Sequence, residues 1–242
     1  SRERLFGVTR WPATMGGEQI LEAGCGSGRF TEVLAATGAD VWSFDLSDAV
    51  EANHANHGRL PNVHIFQASI DAIPCSPGQF DRVLCLGVLQ HTPSPARAFY
   101  ALAAQVRPGG YLAMDVYRKD LAAMLQWKYV LRPMTKRMDR ERLYRLVAWG
   151  VPKLMHATRI ARQVAGRLGS RFFPIAEYSH LGLSAELNRE WSVLDTFDML
   201  SPQHDHPQTL TAVRRWFADA GFADVVVERG PNGVIGRGRR PM

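Results

Sequence analysis

An α/β fold, with an open and mostly parallel sheet covered by helices on both faces, is predicted by three features of the sequence. Apolar strand-like runs alternate with helical spacing, a glycine-rich turn joins the first run to the helix after it, and a hairpin pattern closes the chain. The runs fall at about 19–22, 41–45, 63–67, 81–87 and 111–117, short and bounded by turn residues as strands are. Between the last two, Pro95 to Val106 places apolar residues at helical spacing. Such alternation implies parallel strands joined by right-handed crossovers. Thr209 to Ala220 reads as a helix closed by Gly221, followed by a strand over Asp224 to Glu228 and a turn at Pro231-Asn232-Gly233 into Val234-Ile235-Gly236.

The turn after the first run is the most informative segment. Ile20 to Phe30 reads ILEAGCGSGRF, with Gly24, Gly26 and Gly28 between a strand end and a helix expected over about 29–37. Glycines in this position let a backbone come close to a ligand. The spacing is G-x-G-x-G, with Arg29 at the fifth position after Gly24, which departs from the G-x-G-x-x-G pattern of dinucleotide sites and argues against a nicotinamide cofactor. Val41 to Ser47 (VWSFDLS) then ends in Asp45, 21 residues after Gly24, where a carboxylate can accept ribose hydroxyls. Asp45 also has an ordinary reading as a cap with Ser47 or Asp48.

Taken in order, these segments resemble the class I S-adenosylmethionine-dependent methyltransferases of the small-molecule type. Ser69-Ile70-Asp71 before Ile73-Pro74 resembles that family's adenine contact, Phe80 to His91 its fourth strand and following loop, and Arg107 to Leu112 the turn before its fifth strand. The resemblance implies a Rossmann-like sheet of seven strands with the last antiparallel, and S-adenosyl-L-methionine as cofactor with S-adenosyl-L-homocysteine as product. It also implies a cofactor pocket formed by Glu22, Gly24, Cys25, Gly26, Gly28, Asp45, Leu46, Ser69, Ile70, Leu86, Gln90 and His91. Ser69 stands where many relatives carry an acidic residue, which weakens the expected adenine contact. Cys25 reads as a small residue tolerated in the turn.

Composition sets the frame. A chain of 242 residues with 46% hydrophobic content can bury a substantial core as one domain with an elaboration. No apolar run reaches the roughly 18–20 residues that span a bilayer, and no signal-peptide pattern opens the sequence, so the cytoplasm is the expected compartment. Cys25, Cys75 and Cys85 are odd in number and contain no C-x-x-C pair, which supports neither a disulfide framework nor a zinc site.

The expected organisation is a cofactor-binding core over 1–117, a helical insertion over 118–208 and a return to the core over 209–242. The insertion leaves the carboxyl end of a strand, the edge where ligands bind in such sheets, and is expected to act as a substrate lid. Helical spacing appears at 120–131, 139–149 and 153–168, with Pro133, Gly150-Val151-Pro152 and Gly169 as breaks. From Arg132 to Arg171 eleven Lys and Arg face two acids, a local balance of +9 against +6 for the whole chain. Three readings follow: a solvated helix face, an anionic small-molecule substrate, or peripheral contact with an acidic lipid surface. Nucleic acid is not the expected partner, because the segment shows no RNA-binding module and no cluster of stacking aromatics. Oligomeric state is not legible.

Near the end of the insertion, Asp195 to Gln208 reads DTFDMLSPQHDHPQ. His204 and His206 are candidate bases, since an ordinary histidine pKa of about 6.5 leaves the ring partly neutral at physiological pH. Asp205 is a candidate orienting or substrate-binding residue. The alternatives are a loop that packs and caps the next helix, or a metal site that lacks a third ligand. His91 is a third candidate base, and Trp11 and Tyr117 are candidate aromatic walls beside a sulfonium, or simply core. Methyl transfer is an in-line displacement in which proximity and orientation can supply roughly 7–11 kcal/mol, so a base is not obligatory.

Two classes of function remain at this point. One is a methyltransferase, preferably an O-methyltransferase of small-molecule biosynthesis, with a lipid, quinone or glycan-lipid precursor at a membrane surface as its variant. The other is a cofactor-binding protein without catalysis whose insertion binds a partner. The intact Glu22, glycines and Asp45 favour the first.

Overall fold

A computed structural model describes residues 1–119, 127–170 and 173–242. The chain divides into two compact units, Ser1–Lys119 with His204–Met242, and Asp120–Gln203. His204 to Gln208, read from the sequence as the end of the insertion, therefore fall in the core unit.

In the core unit, α1 (Arg2–Thr9) precedes β1 (Gln19–Ala23), α2 (Thr31–Ala35), β2 (Asp40–Asp45), α3 (Ala49–His57), β3 (Val63–Gln67), β4 (Phe80–Leu86), α4 (Pro95–Gln105) and β5 (Val106–Val116). After the insertion, α8 (Leu210–Asp219) leads to β6 (Ala223–Gly230) and β7 (Gly233–Arg239). The seven strands lie in the order β3-β2-β1-β4-β5-β7-β6. Strands β1 to β5 pair in parallel, and β7 runs antiparallel to both β5 and β6.

Alternation along the central strands explains the two cores. Leu21, Val83, Cys85, Leu112 and Met114 point to one face and pack with Phe99, Leu102 and Phe217. Their neighbours Ile20, Leu84 and Ala113 point to the other and pack with Leu5, Val8 and Leu34. Side chains of period two filled on both sides are what a sheet sandwiched between helices requires. Helix starts follow local chemistry. Ser94 accepts the N–H of Arg97 ahead of Pro95 at the first turn of α4, and Thr209 accepts that of Ala212 at the start of α8.

Two elements differ from expectation. β5 begins at Val106, so the turn expected over Arg107 to Leu112 lies inside the strand, where pairing with β4 shifts register between Phe80 and Arg82 and Gly109 takes φ +78°. The helix expected over 29–37 shortens to Thr31–Ala35.

The inserted unit holds α5 (Trp127–Thr135), α6 (Arg140–Ser170) and α7 (Ala185–Leu200). The expected helix at 120–131 falls in part outside the described residues. Helix α6 runs through Pro152, where a break was expected, and departs from helical geometry at Ala165 and Gly166 instead. Leu143, Val147 and Val151 of α6 pack with Val193 and Leu200 of α7, and this burial across the Pro152 turn outweighs the hydrogen bond that proline removes. Helix α7, started by Ser184 accepting the N–H of Leu187, was not read from the sequence.

Candidate functional site

The glycine turn is held by main chain of the neighbouring strand β2. The N–H groups of Gly24 and Cys25 both donate to the carbonyl of Phe44 in β2, at 2.8 and 3.0 Å. A Cβ on Gly24 would lie 2.2 Å from Val88, and one on Gly28 would lie 2.2 Å from Asn53 and 2.5 Å from His57. Gly26, at φ +52°, has nothing within 4 Å of its missing Cβ. The outer glycines are thus required by the protein's own packing, and the middle one faces open space.

Asp45, at the end of β2, closes the turn. One carboxylate oxygen accepts the Gly26 N–H at 2.9 Å, and the other accepts the N–H and hydroxyl of Ser47 at 2.8 and 2.7 Å. The expected contact with Ser47 is present, and the bond to Gly26 adds a tie to the glycine turn. An ionised carboxylate has about four acceptor sites, so capacity remains for a further donor. Beside it Leu46 is 70% exposed, an apolar side chain on the rim. Ser69, two residues beyond β3, uses its hydroxyl to accept the N–H of Asp71, while Ile70 is buried in the core beneath.

Beneath the turn, Glu22 sits in a polar network whose other members have no local signal in the sequence. The Glu22 carboxylate is buried and accepts hydroxyls from Thr31 and Ser43 on one oxygen, at 2.6 and 2.7 Å. Asn53 donates to Thr31 at 3.0 Å and meets the ring of His57 at 2.8 Å. The second oxygen of Glu22 is buried with no hydrogen-bond partner among the described residues. Burial raises the Glu22 pKa above its ordinary value, the hydroxyls of Thr31 and Ser43 oppose this, and the charge of Asp45 adds to it. Cys25 is turned inward, its thiol pushed up to about 12 by burial and then by the charge of Glu22. It contributes a place in the turn and not a reactive sulfur.

On the other side of the carboxyl edge, the turn after β4 meets the loop that returns from the insertion. His91 Nδ1 lies 3.1 Å from the carbonyl oxygen of His204, and the N–H of His206 donates to the carbonyl of Gln90 at 2.8 Å. The rings of His91 and Tyr117 meet edge to face at 5.5 Å, and those of His204 and His206 stack at 5.8 Å. A carbonyl only accepts, so Nδ1 of His91 carries a proton, and when the ring is neutral its lone pair sits on Nε2. Gln90 is fully buried, its amide donating to Gly87 at 2.7 Å. Both carboxylate oxygens of Asp205 are buried. Leu86, at the end of β4, packs in the core.

Trp11 is not at this edge. Its ring is buried under the guanidinium of Arg82 at 5.3 Å, and Arg82 lies near the start of β4, where it pairs in register with Tyr111 of β5. Trp11 therefore belongs to the amino edge of the sheet, opposite the glycine turn, where it packs with Leu5, Val8 and Met15. A residue the sequence reading passed over lies closer to the site. Asp115 is buried at the end of β5, accepts the N–H of Gly87 at 2.5 Å and pairs with Arg4 of α1 at 2.9 Å. The lone acid in the apolar run YLAMDV was its signal.

The expected cofactor fits these residues on three counts: an open glycine, a partly used carboxylate at Asp45, and a buried acceptor at Glu22 without a donor. Among the described residues, no three His, Cys, Asp or Glu side chains gather as a metal site.

Comparisons with known proteins agree. The chain is 33% identical over 123 residues to a protein named ubiquinone biosynthesis O-methyltransferase from Albidiferax ferrireducens, covering 48% of this chain and 49% of that protein. It is 28% identical over 192 residues to a protein of the same name from Marinobacter nauticus, covering 76% and 79%. The first match thus spans about half the length of its relative. A solved S-adenosylmethionine-dependent methyltransferase from Methanosarcina mazei superposes with a TM-score of 0.53 at 13% identity, over 95% of each chain, which shows the shared fold. A family model described as a methyltransferase domain matches residues 7–227, and with the glycine turn, Asp45 and the seven-stranded sheet this places the chain in the class I S-adenosylmethionine-dependent methyltransferases.

Proposed function

We propose that the protein transfers a methyl group from S-adenosylmethionine to a hydroxyl of a small-molecule acceptor in biosynthetic metabolism. The observation that carries this reading is the juxtaposition of His91 with the His204–His206 loop at the carboxyl edge, the same edge as the glycine turn. When bound, the cofactor supplies an electrophilic methyl on a positively charged sulfur. The chain holds it through the Gly24–Gly28 turn, Asp45 and Glu22. His91, fixed by the His204 carbonyl with its lone pair on Nε2, takes the proton from the acceptor hydroxyl. His204 and His206 are the remaining candidates for that role. Tyr117 holds the His91 ring from its edge. A hydroxyl needs such help because it is a poor nucleophile until deprotonated.

The relatives named for ubiquinone biosynthesis support a quinone-precursor hydroxyl as the acceptor. A lipid or glycan-lipid acceptor at a membrane surface is the second reading. It is favoured by exposed Trp149, Val164 and Leu181 among the basic helices of the inserted unit. No helix of the described residues is long and apolar enough to cross a membrane. A single experiment separates the two readings. The protein is incubated with S-adenosylmethionine and either a soluble hydroxylated aromatic or its lipid-tailed counterpart in vesicles, with S-adenosylhomocysteine and methylated product followed by mass spectrometry. Product in either arm assigns the acceptor class. Cofactor binding without product in either arm rejects both readings and leaves a binding protein.

A further inference from the structure

A cleft away from the glycine turn lies within the inserted unit. It has a volume of about 550 Å³, and its walls include Arg159 and Arg162 of α6, Ser179 and His180 of the turn before α7, and Leu183 and Ala185 at the start of α7. We propose that this cleft is a binding site for a phosphate ester, with Arg159 and Arg162 holding the anion.

The wall of the cleft is organised by one buried acid. Glu177 is 6% exposed, and its carboxylate accepts the N–H and hydroxyl of Ser179 at 2.8 and 2.9 Å and the amide of Asn188 at 3.1 Å. Asn188 in turn accepts the N–H of Tyr178 at 3.0 Å, which ties the turn to α7. Burial acts to raise the Glu177 carboxyl, but the hydrogen bonds from Ser179 and Asn188 and the charge of Arg159 outweigh it and hold the group below its ordinary range. Glu177 is therefore ionised. Arg162 is positioned against it, with its guanidinium 3.3 Å from the Glu177 carbonyl and 4.0 Å from its carboxylate.

Charge then decides what the cleft takes. Three donors already engage the Glu177 carboxylate, and two guanidiniums three residues apart on α6 share its single negative charge. Arg159 is exposed, and one positive charge is left in excess beside a cavity. Guanidinium groups present forked donors that match phosphate oxygens, and two on one helix face can engage one anion together. The volume exceeds what a bare ion needs, and Leu183 and Ala185 give an apolar wall for the organic part of an ester. A cleft with one such arginine pair meets a single phosphate; it does not track a nucleic-acid backbone, which needs a run of cations. The phosphate can belong to a soluble metabolite or to a phospholipid headgroup, since both present the same ester oxygens.

The test titrates the full chain with glycerol 3-phosphate by calorimetry and, in parallel, measures co-sedimentation with phosphatidylcholine vesicles with and without phosphatidic acid. Saturable binding is expected in at least one arm. Arg159→Ala should weaken it roughly tenfold or more, the scale of a lost charge-assisted hydrogen bond, with S-adenosylmethionine affinity unchanged. Arg159→Lys, which keeps the charge and loses the fork, should fall between. Binding to glycerol 3-phosphate alone identifies a soluble ligand, and binding only to vesicles containing phosphatidic acid identifies a headgroup. Binding in neither arm overturns the proposal, as does Arg159→Ala binding as tightly as the unaltered chain.

Discussion

Arg4 and Asp115, 111 positions apart, form an ion pair at 2.9 Å that ties the first helix to the end of the central strand β5. The carboxylate is 1% exposed and also receives the N–H of Gly87. Removing the cation leaves a buried charge with less compensation, which typically costs about 3–5 kcal/mol. Arg4→Ala should lose stability at the lower end of that range, because the guanidinium is partly exposed, and urea unfolding measures it. A loss below about 0.5 kcal/mol would show the pair to be incidental.

Replacing Asp45 by Ala removes the acceptor for Gly26 and Ser47 together with the proposed ribose contact. The expected result is S-adenosylmethionine binding weaker by about tenfold or more, read by calorimetry, in a protein whose far-ultraviolet spectrum is unchanged. Equal affinity would place the cofactor elsewhere.

Alanine at the three glycines should separate packing from ligand space. Gly24→Ala and Gly28→Ala collide with Val88 and with Asn53 and His57, so both should lower the unfolding midpoint strongly. Gly26→Ala meets no protein atom and carries only the left-handed backbone penalty of about 1–2 kcal/mol. It should remain folded and lose cofactor binding. Unaltered binding by this variant would mean that the open space is not the cofactor's.

Glu22 gives a pH dependence with a definite sign. Its folded pKa is raised above the ordinary 4.5, so between that value and the raised one the folded state binds more proton than the unfolded state. Stability from this group therefore falls as pH rises through that window. Glu22→Gln keeps an acceptor for Thr31 and Ser43 and should flatten the decline, seen as a smaller drop in unfolding free energy from pH 4.5 to neutrality. An unchanged profile would indicate a carboxyl that titrates normally.

A base at His91 should show in turnover and not in binding. His91→Ala is expected to lower kcat by about 10²–10⁴, with S-adenosylmethionine affinity within a factor of about three. His204→Ala should cost less, because His204 supports His91 through its main-chain carbonyl. A loss under tenfold at His91 would mean that positioning alone drives the transfer.

Much of the cofactor side was legible because its signals are local. Three glycines on alternate positions and an acid at the end of the next strand are read directly from spacing, and so is the parallel alternation of strands with helices. What lay beneath the turn was not. Thr31, Ser43 and Asn53 meet Glu22 and one another across 9 to 22 positions, and such ordinary polar residues leave no local trace. Trp11 was misplaced because an aromatic before the first strand can reach either edge of a sheet, and its partner Arg82 decides which. Pro152 and α7 went wrong for a shared reason: packing of Val147 and Val151 against Val193 and Leu200 is a tertiary effect that local breakers and propensities do not register.

The insertion departs and returns through adjoining main chain. Gln208 donates its N–H to Tyr117 at 2.7 Å, and its carbonyl accepts that of Lys119 at 2.9 Å. The core sheet is therefore spliced, with its two cut ends already held together by hydrogen bonds inside the core unit. Closing such a gap depends only weakly on how many residues bridge it. The inserted unit has its own buried cluster around Leu143, Val147 and Val193, separate from the two clusters of the core sheet. A gene in which residues 120–203 are exchanged for a short turn should still yield the seven-stranded sheet with its glycine turn intact, which makes the segment an interchangeable cassette on a constant cofactor platform.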